Sequence, residues 1–128
     1  SGRLMYNEYA KQRIPLHLNI ERRSISMSEF ITPPNHINFK AKKLFENCGQ
    51  IVDGSIAYIT VGGGGPTEKH THQHNHLFIV VQGEAKILLN QETVIVKKNE
   101  SFLVNGMIPH SVWSNSDDET VMIGITVV

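Results

Sequence analysis

From Gly54 to the end of the chain, apolar residues arrive in short runs rather than at helical spacing. Ser55 to Val61 (SIAYITV), Leu77 to Val81 (LFIVV), Glu84 to Leu89 (EAKILL), Thr93 to Val96 (TVIV), Ser101 to Val104 (SFLV), Ile108 to Trp113 and Thr120 to Val128 are rich in β-branched and aromatic residues. Such residues suit a pleated, half-buried surface. The stretches between them are turn chemistry: Gly62 to Pro66, Gln82-Gly83, Asn90-Gln91, Lys97 to Glu100, Asn105-Gly106 and Asn115 to Asp118. Seven short strands in about 74 residues, with no helical pattern between them, predict an all-β antiparallel sandwich or barrel.

The pattern before Gly54 is weaker. Ile14, Leu16, Leu18 and Ile20 alternate as a half-buried strand would, and Ser24 to Ile31 alternates poorly through Ile25, Met27 and, out of step, Phe30. Pro33-Pro34-Asn35 then breaks the chain, because proline lacks a ladder donor and restricts the residue before it. Residues 1–36 read as an N-terminal arm lying on a β-barrel core of residues 51–128, within a single domain. Between them, Ala41, Leu44, Phe45 and Cys48 stand at helical spacing. They predict a short helix over Lys40 to Gln50, with Gly49 as its left-handed cap. A strand ending at Phe45 fits that stretch almost as well.

Composition narrows the partners. The chain of 128 residues is 40% hydrophobic and 19% charged, which is ordinary for a globular domain, and 12 basic residues balance 12 acidic ones. Nucleic-acid binding leaves a basic footprint, and neutrality argues against it. The clusters Glu21-Arg22-Arg23 and Lys40 to Lys43 are short and read as solvated surface. No apolar run approaches the roughly 20 residues that span a bilayer, so no membrane partner is expected. Cys48 is the single cysteine. It permits no intrachain disulfide, reads as an inert thiol, and fits a reducing, cytoplasmic setting. The chain opens on Ser-Gly rather than Met, so a trimmed or replaced start, and with it a leader, stays open.

The chemistry is concentrated in HTHQHNH, where four of the seven histidines fall within seven residues. Histidine is the commonest metal ligand among side chains. On a strand, His70 and His72 leave the same face with Cα atoms about 6.6 Å apart, and two imidazoles so placed can converge on one ion. A straight strand would carry His76 roughly 20 Å from His70. If three of these histidines share an ion, the chain must bend after His72, where Gln73-His74-Asn75 is polar enough to do so. The preceding Gly62 to Pro66 reads as a flexible turn or a small lid beside the site. A phosphate-cradling loop would need a following Gly-Lys-Ser/Thr, which is absent. Tyr58, Phe78, Phe102 and Trp113 read as core, with Phe78 on the parity of His76 and able to face a pocket.

The stretch resembles the first motif of the cupin superfamily, G-x5-H-x-H-x3-E-x6-G. Gly64, His70, His72, His76 and Gly83 stand at every one of its spacings. The second cupin motif resembles Asn105 to Asn115 (NGMIPHSVWSN), with Pro109-His110 matching. Asn105 and Met107 replace the motif's proline and glycine, and Asn115 lies one residue late. The resemblance implies a cupin-like antiparallel β-barrel, the double-stranded β-helix or jelly roll, and a homodimer. It implies that His70, His72 and His110 are metal ligands and that His76 occupies the glutamate position. Four neutral imidazoles leave a divalent ion at +2, a stronger Lewis acid than a set containing a carboxylate. Imidazole suits Zn, Fe or Ni better than it suits Mg or Ca. His74 has no role in the motif and is expected to be exposed, or at most a proton shuttle. His17 and His36, in the arm, are not expected to be ligands.

The resemblance permits a metal-dependent enzyme on a small-molecule substrate, of dioxygenase, isomerase or decarboxylase type. It equally permits a non-catalytic sensing domain, and four histidines closing a tetrahedron would make the metal structural. No paired carboxylate or lysine motif near the histidines names a general base.

Overall fold

The alternation resolves into eight strands. The computed structural model describes residues 29–128, with β1 (Ile37–Cys48), β2 (Ile51–His70), β3 (Asn75–Gln82), β4 (Glu84–Leu88), β5 (Thr93–Lys97), β6 (Ser101–Val104), β7 (His110–Ser114) and β8 (Thr120–Val127). Every pairing is antiparallel, in the order β5-β4-β7-β2-β8-β3-β6 with β1 on β2. The sheet curls into a nearly closed barrel, so the expected all-β class holds. Among the described residues there is no helix, and hence none long and apolar enough to cross a membrane.

Period-two alternation decides which side chains enter the barrel. Ala85 and Ile87 in β4, Val96 in β5 and Val104 in β6 point inward and are buried, while their strand neighbours are more exposed. They meet Ile59, Val80, Val112, Met122 and Phe39 in one core cluster. Ile59, Ile87 and Val80 have no accessible surface left.

The short helix expected at Lys40 to Gln50 does not form. That stretch belongs to β1, a 12-residue strand paired along β2 from Ile37↔Gly64 to Cys48↔Ile51. Gly49 does take a left-handed conformation, with φ 65°. It is the first residue of the two-residue Gly49-Gln50 hairpin turn, the place where a type II′ turn needs glycine, and not a helix cap. The apparent helical spacing arises from a register shift between Lys43 and Phe45, which swings the Phe45 ring over Gly54, where a Cβ would collide with it. Leu44 and Cys48 face outward and are exposed.

The Gly62 to Pro66 turn or lid is corrected too, because β2 runs through it and Gly64 and Gly65 pair with Trp113 and Val112. The strand expected at Ile14 to Ile20, and Ser24 to Ser28 of the next alternation, lie outside the described residues. Ile31 forms an isolated bridge with Ala41.

Removing inward-facing bulk is costly. Ile87→Ala should destabilise the protein by about 2–5 kcal/mol in a urea titration, whereas Leu103→Ala, at a side chain 56% exposed, should stay within about 0.5 kcal/mol. Similar losses at both sites would mean that the inward and outward faces have been misassigned.

Candidate metal centre

Three strand ends and one short loop assemble the histidines. His70 closes β2 and sits directly across from His110, the first residue of β7, with ring centroids 5.0 Å apart. The chain leaves β2 after His70, turns through residues 71–74 and re-enters the sheet at Asn75, so the bend expected after His72 is present. It returns His76, in β3, to within 2.9 Å of His72, measured Nε2 to Nε2. Ligand nitrogens of His70, His72 and His110 all lie within 4.8 Å of one another. His76 stands at the edge of this group, its ring 4.5 Å from that of His72 and 5.9 Å from that of His110. His74 is exposed. His36 lines the neighbouring cavity, packs edge-on against Phe39 at 4.5 Å and is not in the three-histidine group. His17 lies outside the described residues.

Backbone carbonyls fix two of the rings. A carbonyl oxygen can only accept, so His72 Nδ1 donates to His74 O at 2.7 Å and His110 Nδ1 donates to Ile108 O at 2.7 Å. In both neutral rings Nε2 is left bare and available as a ligand. With His72 Nε2 bare, the 2.9 Å contact to His76 requires a proton on His76 Nε2, and His76 Nδ1 then accepts from the Thr126 hydroxyl at 3.2 Å. A hydroxyl donates or accepts equally well, so Thr126 also suits the opposite tautomer, in which His76 offers a bare Nε2.

The donor set fits a transition metal. Two nitrogens bound to one ion at about 2.0–2.1 Å stand about 2.9 Å apart at a right angle and about 3.4 Å apart at the tetrahedral angle, so the His72–His76 separation is that of neighbouring ligands. Three of the rings, His70, His76 and His110, also resist protonation. Burial, then the charges of His72 and His110, pull His76 down to about 4, partly opposed by Asp53. Burial first, and neighbouring imidazoles after it, lower His70 and His110 as well.

A loop on the other side holds His72 in place. The His72 N–H donates to Gly106 O at 2.8 Å, and the Gly106 N–H donates to Asn75 Oδ1 at 3.0 Å. Gly106 lies so close under this turn that a Cβ would strike the carbonyls of His72 and His74.

The chain belongs to the cupin family. The family model described as "Cupin domain" (Cupin_2) matches residues 57–128, which span all four histidines. Among curated proteins none matches. Solved cupin folds do. A predicted oxalate decarboxylase from Thermotoga maritima superposes with a TM-score of 0.68 at 10% identity, covering 79% of this chain and 91% of that one. The Cnp3 cupin domain of Schizosaccharomyces pombe gives 0.66 at 16%, covering 82% and 72%. The polyketide cyclase RemF of Streptomyces resistomycificus gives 0.65 at 16%, covering 80% and 75%. At these identities the likeness is one of fold.

In this cupin the histidines border a cavity of about 260 Å³ inside the barrel, to which His70, His76 and His110 contribute walls. Sequence reasoning found the histidines and the pocket-facing Phe78 but missed other wall residues, among them Asp53, Thr126 and Phe39. A signal for Asp53 was present. Along the inward face of β2 the side chains turn from apolar to polar, from Ile59 and Ala57 through Ser55 to Asp53.

In the metal-free protein the folded state refuses protons that the unfolded histidines accept below about pH 6.5. Stability should therefore be complete above about 6.5 and fall as the pH drops toward 4, and His76→Leu should flatten that slope. A melting temperature equal at pH 7 and 5 would contradict the buried, neutral state of these rings. Gly106→Ala should weaken divalent-metal binding by about tenfold or more in calorimetric titration, while Met107→Ala, at a side chain 64% exposed, should leave it unchanged. Equal effects would show that the loop contact is not what holds His72.

Proposed function

We propose that this cupin binds one divalent transition metal, Zn, Fe or Ni, through His70, His72, His76 and His110, and acts on a small molecule held in the adjoining cavity. The observation that carries this reading is the convergence of three imidazole nitrogens within 4.8 Å at the wall of a 260 Å³ cavity. An engineered apolar cavity of about 150 Å³ accommodates benzene, so the space here suits one ring with substituents. A purely structural metal would want its histidines turned away from such a space, whereas His70, His76 and His110 face it.

When bound, a divalent ion held by four neutral imidazoles supplies Lewis acidity undiminished by an anionic ligand. The chain's own residues do the rest. His72 and His110 are pre-oriented by their carbonyl partners. With its Nε2 given to the ion, His76 would hold its proton at Nδ1 and donate it to the Thr126 hydroxyl. Phe39, Phe78 and Met122 exclude water from the bound molecule. A donor set without a carboxylate would supply Lewis acidity and would do little to support a higher charge on the ion, which favours the isomerase type of reaction over the dioxygenase type. A homodimer belongs to the same proposal: β1 pairs with no strand except β2 among the described residues, and its Ile37 and Leu44 are 46% and 40% exposed. Light scattering at twice the chain mass is the expected result.

The purified protein should contain about one transition metal per chain by elemental analysis, and His76→Ala should lose it more readily than His74→Ala. A metal-reconstituted sample that retains none would sink the proposal, and the reverse order of the two variants would reassign the fourth ligand. Substrate-dependent oxygen uptake by the Fe(II) form, tested on diketones, thiols and phenols, would replace the isomerase reading with the dioxygenase one.

A further inference from the structure

The cavity has a second polar pole. Asp53 in β2 pairs with Thr126 in β8, and Thr126 pairs with His76 in β3. Directly paired positions share a face of the sheet, so Asp53, Thr126 and His76 form one row across three strands, and all three line the cavity. Strands lie about 4.8 Å apart, which separates the ends of the row by roughly 10 Å at the backbone. The curl of the barrel turns both ends toward the same space.

The row below it is Ser55, Gly124 and Phe78, and the one below that is Ala57, Met122 and Val80. The floor and far wall are therefore small or apolar. Only the top row pairs a carboxylate with the imidazoles.

Among the described residues no side-chain hydrogen bond or ion pair engages the Asp53 carboxylate, and Asp53 is half-buried. It stands on the same cross-strand row as His76 and faces the same cavity as His70 and His110. A carboxylate facing a largely apolar, ring-sized space, with no partner among the described residues, is placed to receive a donor from whatever occupies that space.

We infer that Asp53 is the second anchor of this cavity, selecting ring-sized molecules that carry a metal-binding oxyanion at one end and an ammonium or other N–H donor at the other. The inference rests on the metal reading above. It also assigns polarity, since the oxyanion end lies at the four histidines and the cationic end at Asp53, with the ring against Phe78 and Met122. Charge-assisted hydrogen bonds are among the stronger polar contacts, so the discrimination should be large.

The test uses two probes of nearly equal shape, 4-(aminomethyl)benzoate and 4-ethylbenzoate, titrated calorimetrically into the Zn(II)-loaded protein. Apolar burial alone favours the ethyl compound. The expected result is that the aminomethyl compound binds about tenfold or more tightly, and that Asp53→Asn removes or reverses the preference while Zn(II) uptake stays unchanged. Asp53→Ser, scored by the same ratio, serves if the asparagine variant folds poorly, as judged by its melting temperature. Equal binding of the two probes to the wild-type protein overturns the inference and leaves the metal site standing. A preference that survives in the variants places the donor site elsewhere and also overturns it. Loss of Zn(II) uptake in the variants would make Asp53 a support of the metal site instead, and the inference would fall. A wild-type protein that takes up none of Zn(II), Fe(II) and Ni(II) overturns both readings.

Discussion

The geometry of the histidine cluster depends on a change of partner in the middle of one strand. β2 runs beside β8 from Ile51 to Ile59 and beside β7 from Gly64 to His70. The transfer happens across the glycine run. At Gly64, with φ 156°, the backbone comes so close to Val112 O and the Trp113 ring that a Cβ has no room. A side chain there would push β2 away from β7 and separate His70 from His110, which face each other across that seam. The run first read as a loose turn therefore provides a close approach. Its freedom of conformation is spent on packing two backbones together, and the geometry of the histidine cluster follows from that packing.

The rings themselves could repel one another, and the surroundings are arranged so that they do not. Four imidazoles around one point would suffer if any two were charged, and burial with mutual proximity holds three of them below the usual histidine range. Each proton must then have a defined place. The Ile108 and His74 carbonyls supply it for His110 and His72 by accepting from Nδ1. Thr126 leaves it open for His76. One ring is thus free to change tautomer without moving any backbone, and this is the ring standing where the family motif carries glutamate.

The strands after Gly54 were legible because each is short, β-rich and bounded by turn residues, and the strand pattern and the spacing of His70, His72, His76 and His110 needed only local periodicity and motif offsets. Lys40 to Gln50 was not legible in that way. Ala, Leu, Lys and Glu favour helix, and the bulge at Phe45 imitates helical spacing. What makes it a strand is the open edge of β2, a tertiary fact that overrides weak propensity. Asp53 was hidden for a related reason. Its partner Thr126 is the registered residue of a strand at the other end of the sequence, and no local pattern connects them. The gradient of rising polarity along β2 acquires meaning only beside the similar gradients in β3 and β8, from Val80 to His76 and from Met122 to Thr126.

Those three gradients also bear on the missing carboxylate. With histidine at the glutamate position, the negative charge that would have touched the metal is absent from the cluster, and the nearest one along the paired row is Asp53, two strands away. At that range a carboxylate cannot act as a ligand. It can still lower the energy of positive charge anywhere in the cavity, because the apolar walls between it and the histidines screen poorly. Moving the carboxylate from the ion to the opposite wall changes its effect. Bound to the metal, it would quench Lewis acidity for every occupant alike. Across the cavity it would act on a bound ion only weakly and most strongly on an occupant that brings a positive or donating group to it, which would make it chiefly a term in ligand choice.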